Sequence, residues 1–252
     1  MKKEFIQTPA ILVDLDALEN NIAKYQEGCT FNKKELWPMI KTHKSTEIVK
    51  MQIEAGATGV LCGTLDEAEA CCKAGVNKIM YAYPVASAEN IERVIELTNK
   101  CDFIIRLDDV DGAKKLNDAA IDAGVIISYT IIIDAGLHRF GVKPDKAVDF
   151  ANALKDMKGL KLRGISSHPG HVYAAGSKDD LSKYIDDEIN NIKIAVDSLK
   201  NAGYKLEYIT SGSTPTFFGA VEDKNINVYH PGNYVFHDAI QMSTELSLIH
   251  IL

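Results

Sequence analysis

Short apolar runs alternate with longer amphipathic runs along the whole chain. Eight apolar runs have the length of buried strands, and most are separated by runs with the spacing of amphipathic helices. The predicted strands are Leu36–Lys41, Gly59–Gly63, Lys78–Tyr83, Asp102–Leu107, Ile126–Asp134, Leu160–Ser166, Leu206–Thr210 and Ile226–Tyr229. The predicted helices are Thr46–Ala55, Leu65–Ala74, Ala88–Thr98, Val110–Ala123, Lys146–Met157 and Asp180–Ala202.

Strands that alternate with helices favour parallel βαβ units and an α/β fold. Eight such strands in 252 residues match the size of a (β/α)8 TIM barrel, which has about 250 residues. A doubly wound open sheet is the alternative, but no Gly-x-Gly-x-x-Gly sequence follows an early strand. In the segment Pro9–Tyr25, before the first barrel strand, we expect an extra strand at Ala10–Val13 and then a helix.

Two kinds of residue mark the predicted helix ends. Thr64, with Glu67 three residues later, is typical of a capping box at a helix start. Glycines that allow a left-handed backbone follow four predicted helices, at Gly56, Gly75, Gly124 and Gly203.

Composition narrows the classes of function. The net charge of −7, from 28 basic and 35 acidic residues, argues against binding a nucleic-acid backbone. No apolar run approaches the roughly 20 residues that span a bilayer. The first residues lack an apolar signal sequence, and the five cysteines lack metal-ligand spacing. We therefore expect a cytoplasmic protein with reduced thiols and with neither nucleic-acid nor membrane partners.

Polar side chains follow the predicted strands at their carboxyl ends, where TIM barrels place their chemistry. Lys41 ends the first strand, Arg139 follows the fifth, and the segment His168–Tyr173 follows the sixth. Loops of small residues follow the seventh and eighth strands at Ser211–Thr214 and Pro231–Tyr234. The pattern predicts that these groups meet on one rim of the barrel.

These groups suit a phosphorylated aldehyde. Small residues let backbone N–H groups approach an anion, and the hydroxyls of Ser213 and Thr214 add donors, although such loops also occur as solvated turns. Lys41, in a barrel mouth, could form a Schiff base with a carbonyl. The alternative is an exposed lysine whose stem packs on the barrel. A lysine opposite a phosphate loop is the layout for pyridoxal 5′-phosphate.

Six segments stand in a specific order along the chain: Thr8–Ala10, Lys41–Lys44, Asp134–Gly141, His168–Tyr173, Ser211–Thr214 and Pro231–Phe236. In this order they resemble the D-threonine aldolase and D-serine dehydratase group, fold-type III pyridoxal-phosphate enzymes related to alanine racemase. The resemblance implies that Lys41 carries the cofactor, that Arg139 lies near its phenolic oxygen, and that the freed Lys41 or His168 acts as base. It implies phosphate contacts from Gly212, Ser213, Thr214, Gly232 and Asn233. It also implies that His168, Tyr173 and Tyr234 line the cofactor and substrate.

The chain departs from the family pattern in several places. Trp37-Pro38-Met39 stands where the family usually has Arg-Pro-His, and Ser166 stands where the family often has tyrosine. Members of the group carry a C-terminal β domain whose residues bind a divalent metal (Zn, Mn or Mg). We expect residues 1–245 to form the pyridoxal-phosphate-binding barrel without that domain, and therefore without metal ligands. Residues 246–252 resemble a translated sequencing adapter, and we expect them to be an artefact.

The resemblance implies a lyase that acts on D-β-hydroxy amino acids, by retro-aldol cleavage or by dehydration, and that forms a homodimer. One alternative is a non-catalytic barrel that serves pyridoxal-phosphate homeostasis. The Phe-Gly-Glu-Asn sequence of those proteins is absent at Leu61–Glu67. The other alternative is an amino-acid racemase.

Overall fold

Short parallel strands alternate with helices in the order that the hydrophobic pattern predicts. The structure, a computed structural model, describes residues 3–175, 177–239 and 241. The strands are β1 Glu35–Leu36, β2 Val60–Cys62, β3 Lys78–Tyr81, β4 Asp102–Leu107, β5 Ile127–Ile133, β6 Leu160–Ser167, β7 Tyr208–Ser211 and β8 Val228–Tyr229. The helices are α1 Leu15–Phe31, α2 Thr46–Glu54, α3 Leu65–Lys73, α4 Ala88–Thr98, α5 Val110–Asp122, α6 Ala147–Leu154, α7 Lys178–Asn201 and α8 Phe217–Ala220. Single turns of 3-10 helix lie at Lys3–Phe5, Ile40–Thr42, Pro144–Lys146, Gly170–Ala174 and Asn233–Val235.

The strands close into a barrel. Each strand from β2 to β8 pairs in parallel with the next, and β8 pairs with β1. A parallel bridge between Met39 and Leu61 joins the two remaining edges, with Leu61 N–H 2.9 Å from the Pro38 carbonyl. The predicted (β/α)8 barrel is therefore confirmed, and the open doubly wound sheet is excluded.

The first strand is shorter than predicted. The sequence pattern extends it from Leu36 to Lys41, whereas the ladder ends at Leu36 and a 3-10 turn begins at Ile40. Pro38 has no N–H group to donate to β2, although the N–H groups of Trp37 and Met39 still donate to the carbonyls of Tyr229 and Pro231. As a result Lys41 lies on a turn above the strand.

Two shells of apolar side chains hold the barrel together. The larger shell lies between the strands and the surrounding helices. The smaller fills the barrel interior and includes Trp37, Met80, Ile104 and Tyr208. Trp37 is fully buried, and its Nε1 donates to Thr58 Oγ1 at 2.8 Å. Because side chains fill this interior, the barrel is a packed core and not an open pore.

The capping residues predicted at the helix ends are present in the structure. Thr64 caps α3 by accepting from the Glu67 N–H at 3.1 Å, while the Glu67 carboxylate accepts from the Gly63 N–H at 2.7 Å. All four predicted C-terminal glycines have a positive φ: Gly56, Gly75, Gly124 and Gly203.

The segment before the barrel differs from its prediction. Ala10–Val13 pairs with none of the eight strands. A strand needs a neighbouring backbone for its hydrogen bonds, and an apolar sequence alone does not supply one. Helix α1 follows, capped by Asp14. Residues 246–252, the expected artefact, lie outside the described residues. Within the described ranges, no helix has the length and apolar character needed to cross a membrane.

Candidate functional site

A cavity of about 310 Å³ opens at the carboxyl ends of the strands, a volume that suits a small ligand. Its apolar lining includes Met39, Leu61, Ala82 and Ile132. Nine of the ten residues singled out in the sequence line it: Lys41, Arg139, His168, Tyr173, Gly212, Ser213, Thr214, Gly232 and Asn233.

Lys41 reaches the cavity from the turn that follows Met39. Gly63 gives it room, since a Cβ at position 63 would lie 3.4 Å from the Lys41 Cβ. The charge of Lys41 contributes to the lowered pKa of His168, which lines the same cavity. Lys41 and Lys44 are both exposed, but Lys44 differs in its contact: its Nζ lies 3.8 Å from Glu67.

The loop after β7 requires a glycine and carries two buried hydroxyl groups. Gly212 has φ 127°, and a Cβ there would lie 3.1 Å from the His230 nitrogen. Ser213 and Thr214 are buried, and Thr214 Oγ1 has no hydrogen-bond partner among the described residues. A buried hydroxyl without a partner is costly, so a ligand oxygen at this point would satisfy it.

Two carboxylates hold the loop that carries Arg139. Asp134 accepts from the N–H groups of Gly136 and His138, both at 3.0 Å. Asp108 accepts from the Gly141 N–H at 2.8 Å.

The Arg139 guanidinium then stacks on aromatic rings. It lies 4.3 Å from the Phe140 ring centroid and 5.5 Å from that of Tyr83. In the described part of the chain it forms no salt bridge, so its charge is available to a ligand.

His168 is held as a neutral imidazole. Burial, together with the charges of Lys41, Arg139 and Arg106, lowers its pKa to about 4 against the opposing hydrogen bond to Gly212. Its Nδ1 lies 3.3 Å from the Gly212 carbonyl oxygen, which assigns the ring proton to Nδ1. Nε2 therefore keeps a free electron pair and can accept a proton.

Tyr173 lies on the 3-10 turn Gly170–Ala174 and is 37% exposed. Burial and the nearby Asp238 carboxylate raise its pKa to about 12, so it remains a neutral hydroxyl at the cavity edge.

Tyr234, the tenth residue, is not among those that line the cavity. It is fully buried, its hydroxyl accepts from Gln52 Nε2 at 2.8 Å, and its ring centroid lies 4.6 Å from that of Tyr25. The turn Asn233–Val235 places Asn233 at the cavity and the neighbouring ring in the helical core. A sequence motif does not reveal which of two adjacent residues faces inward.

Two basic residues in the cavity wall were missed in the sequence. Arg106 interrupts the apolar strand β4 and is 3% exposed; its Nε lies 3.3 Å from Met80 Sδ, and Nη2 has no partner among the described residues. Burial lowers its pKa to about 9. The sequence did contain a signal for this residue, because Arg106 is a charged residue within an otherwise apolar strand.

His230 is the second residue. Its Nδ1 lies 2.8 Å from the Trp37 carbonyl oxygen, and Nε2 has no partner within the described ranges. Burial, and then the charge of Arg106, hold its pKa well below the ordinary value. Arg106 and His230 thus each bring to the cavity wall one nitrogen that has no hydrogen-bond partner among the described residues.

No group of three or more His, Cys, Asp or Glu side chains that could hold a metal ion occurs among the described residues. The five cysteines are unpaired thiols.

Comparison with known proteins gives a consistent result. A family model described as the N-terminal domain of alanine racemase matches residues 13–239. The chain is 30% identical to a 3-hydroxy-D-aspartate aldolase of Paracoccus denitrificans over 95% of its own length and 62% of that protein. It is 30% identical to a D-threo-3-hydroxyaspartate dehydratase of Delftia sp., covering 93% of this chain and 62% of that protein.

A solved structure of a similar enzyme has the same fold. A D-threonine aldolase from Filomicrobium marinum superposes with a TM-score of 0.91 at 26% identity, covering 95% of this chain and 65% of the other. The chain therefore spans about 62% of the length of these two curated relatives.

Proposed function

Because the chain belongs to the alanine racemase N-terminal domain family, we propose that it binds pyridoxal 5′-phosphate through Lys41. We propose further that it acts as a lyase on D-β-hydroxy amino acids, by retro-aldol cleavage or by dehydration. The observation that carries this proposal is that Lys41 and the small-residue loops after β7 and β8 line one cavity. The similar aldolase and dehydratase, both named for 3-hydroxyaspartate, support the substrate class.

The residues present fit the cofactor. The phosphate would lie at Gly212, Ser213, Thr214, Gly232 and Asn233, where the partnerless Thr214 hydroxyl offers a donor. Arg139 and Arg106 would offset the negative charge of the ring oxygen and the phosphate. Tyr173 would close the cavity edge.

Bound pyridoxal phosphate supplies an electron sink for charge that develops at the substrate Cα. The residues of this chain would orient the substrate and move the proton. His168 Nε2 is unprotonated at neutral pH and can accept a proton from the substrate, as can the Lys41 amine once it is free. The described residues do not offer a divalent-metal site, so no step is assigned to a metal.

Borohydride trapping tests the cofactor proposal. The protein is incubated with pyridoxal phosphate, reduced, digested and analysed by mass spectrometry. We expect one reduced pyridoxyl group on Lys41, none in Lys41→Ala, and full labelling in the matched Lys44→Ala variant. Labelling of another lysine, or of none, would refute the proposal.

Product analysis tests the reaction. D-Threonine, D-serine and D-threo-3-hydroxyaspartate are each incubated with the loaded protein. Glycine with an aldehyde identifies retro-aldol cleavage, and a 2-oxo acid with ammonia identifies dehydration. An inverted enantiomer, or cofactor binding with no product from any substrate, would refute the lyase proposal in favour of a racemase or a cofactor carrier.

A further inference from the structure

The cavity has two chemically different sides. Lys41 and the small-residue loops after β7 and β8 come from three neighbouring strands, because β8 pairs with both β7 and β1. The facing wall comes from β3, β4 and β5 and from the loops that follow them, and β4 stands opposite β8 in the order of the eight strands. This wall carries Arg106 and Arg139, and its apolar and aromatic residues include Ala82, Tyr83, Ile132, Ile133 and Phe140. A cofactor held by Lys41 and the two loops would leave this wall to face the substrate.

The two arginines of this wall differ in position. Arg139 lies on the loop after β5, where its guanidinium stacks on the rings of Phe140 and Tyr83. Arg106 lies within β4 itself and is 3% exposed, and its Nε is 3.3 Å from Met80 Sδ. Its Nη2 has no hydrogen-bond partner among the described residues. Burial lowers the pKa of Arg106 to about 9, so the group still carries its charge into the cavity wall at neutral pH.

No carboxylate in the described part of the chain forms a salt bridge with Arg106. Three carboxylates follow strands at the same end of the barrel, and each accepts hydrogen bonds from other groups. Asp108 and Asp134 accept from backbone N–H groups of the loop that carries Arg139, and Asp238 accepts from a side-chain amide of the loop after β8. A buried cation without a counter-ion is costly, so a ligand that brings an anion to this wall gains binding energy.

We infer that Arg106 is a specificity-determining residue that binds a carboxylate on the substrate side chain, so that the protein prefers D-β-hydroxy amino acids with two carboxylates. This inference rests on the proposed function, whose substrate class it narrows. The cofactor phosphate would lie on the other side of the barrel, at the loops after β7 and β8, so the Arg106 Nη2 donor remains available to the substrate. A carboxylate fits this donor because its two oxygens match the planar N–H groups of a guanidinium.

Selection would come from the change in solvation of Arg106 when a substrate enters. A cavity of about 310 Å³ has room for water that solvates the guanidinium, and a substrate displaces this water. A side-chain carboxylate replaces the lost hydrogen bonds with charged ones. A methyl or carboxamide group instead leaves the cation desolvated and without a counter-ion.

Equilibrium binding of D-aspartate and D-asparagine to the protein loaded with pyridoxal phosphate tests this inference. The two ligands differ only in a carboxylate against a carboxamide. Neither has a β-hydroxyl group, so neither retro-aldol cleavage nor loss of water can consume them. The dissociation constants are read from the absorbance change of the cofactor, with pyridoxal phosphate kept at saturation for every variant.

The wild-type protein should bind D-aspartate about tenfold or more tightly than D-asparagine, the effect of one charged hydrogen bond. Arg106→Met should bind the two ligands about equally, because D-aspartate loses its partner while D-asparagine loses little. Lys44→Ala is the matched control: it removes a positive charge from an exposed position and should keep the wild-type preference.

Equal affinities for the two ligands in the wild-type protein would overturn the inference, and this comparison needs no variant. An unchanged preference in Arg106→Met would overturn it too. If Arg106→Met weakens both ligands by the same factor, Arg106 serves the α-carboxylate or the cofactor, and the inference is wrong. A protein that binds the cofactor and D-asparagine without preferring D-aspartate contradicts this inference alone. A protein that binds no pyridoxal phosphate refutes the proposed function, and the inference falls with it.

Discussion

Replacing Arg106 by methionine should make the ligand-free protein more stable while weakening its affinity for an anionic ligand. The guanidinium is 3% exposed, and no carboxylate among the described residues forms a salt bridge with it. Methionine has a similar length and can pack against Met80 and Ile104, which are buried inside the barrel.

The magnitude follows from the pKa of the buried group. Burial lowers the Arg106 pKa from 12.5 to about 9. Each pKa unit corresponds to about 1.4 kcal/mol, so the charged form is disfavoured by at most about 5 kcal/mol. Replacing buried ions by apolar residues of similar volume gains about 1–4 kcal/mol in practice. In a chain of this size, that corresponds to a rise in Tm of about 3–10 °C.

Thermal unfolding with and without pyridoxal phosphate tests both parts. Arg106→Met should melt higher without ligand and bind pyridoxal phosphate about 10- to 100-fold more weakly, the cost of one lost charged hydrogen bond. Arg163→Met is the matched control: Arg163 lies 2.9 Å from Asp102 and also contacts Glu207. Its loss should lower stability by about 1–3 kcal/mol. If Arg106→Met also melted lower than wild type, the reasoning that its charge lacks a partner would be refuted.

Three further outcomes are expected. Gly164→Ala should lower the free energy of unfolding, measured in urea, by more than about 4 kcal/mol, because the new Cβ would lie 1.8 Å from the Tyr208 carbonyl oxygen. In the control Gly75→Ala the new Cβ would have no atom within 4 Å, and the loss should be about 1 kcal/mol. Thr214→Val should leave stability unchanged or higher, yet weaken pyridoxal phosphate at least threefold by equilibrium titration; unchanged affinity would argue against phosphate binding there. The lowered pKa of His168 means that the unfolded chain binds protons more readily, so stability should fall by up to about 3 kcal/mol from pH 6.5 to pH 4. That loss should disappear in His168→Asn.

The hydrophobic pattern contains most of the information about the barrel. Alternation of buried strands with amphipathic helices fixes the number and order of the elements, and each strand of the pattern appears within a few residues of its predicted range. The predicted ends of the strands differ from the structure where the hydrophobic pattern does not indicate whether a strand has a partner. Pro38 ended the first strand early, and Ala10–Val13 had strand-like residues without a partner strand.

The sequence by itself determined the fold, the order of the polar loops and the candidate lysine, because these depend on periodicity and on residues that follow strands. Only the tertiary structure decided which side chains face the cavity. Packing turned Tyr234 into the helical core. It placed Arg106 and His230 in the cavity wall, each with one nitrogen that has no partner among the described residues. It also brought Glu188 to Ser211, residues 23 positions apart. Such contacts between distant elements, and the burial that perturbs their charges, leave no periodic signal along a chain.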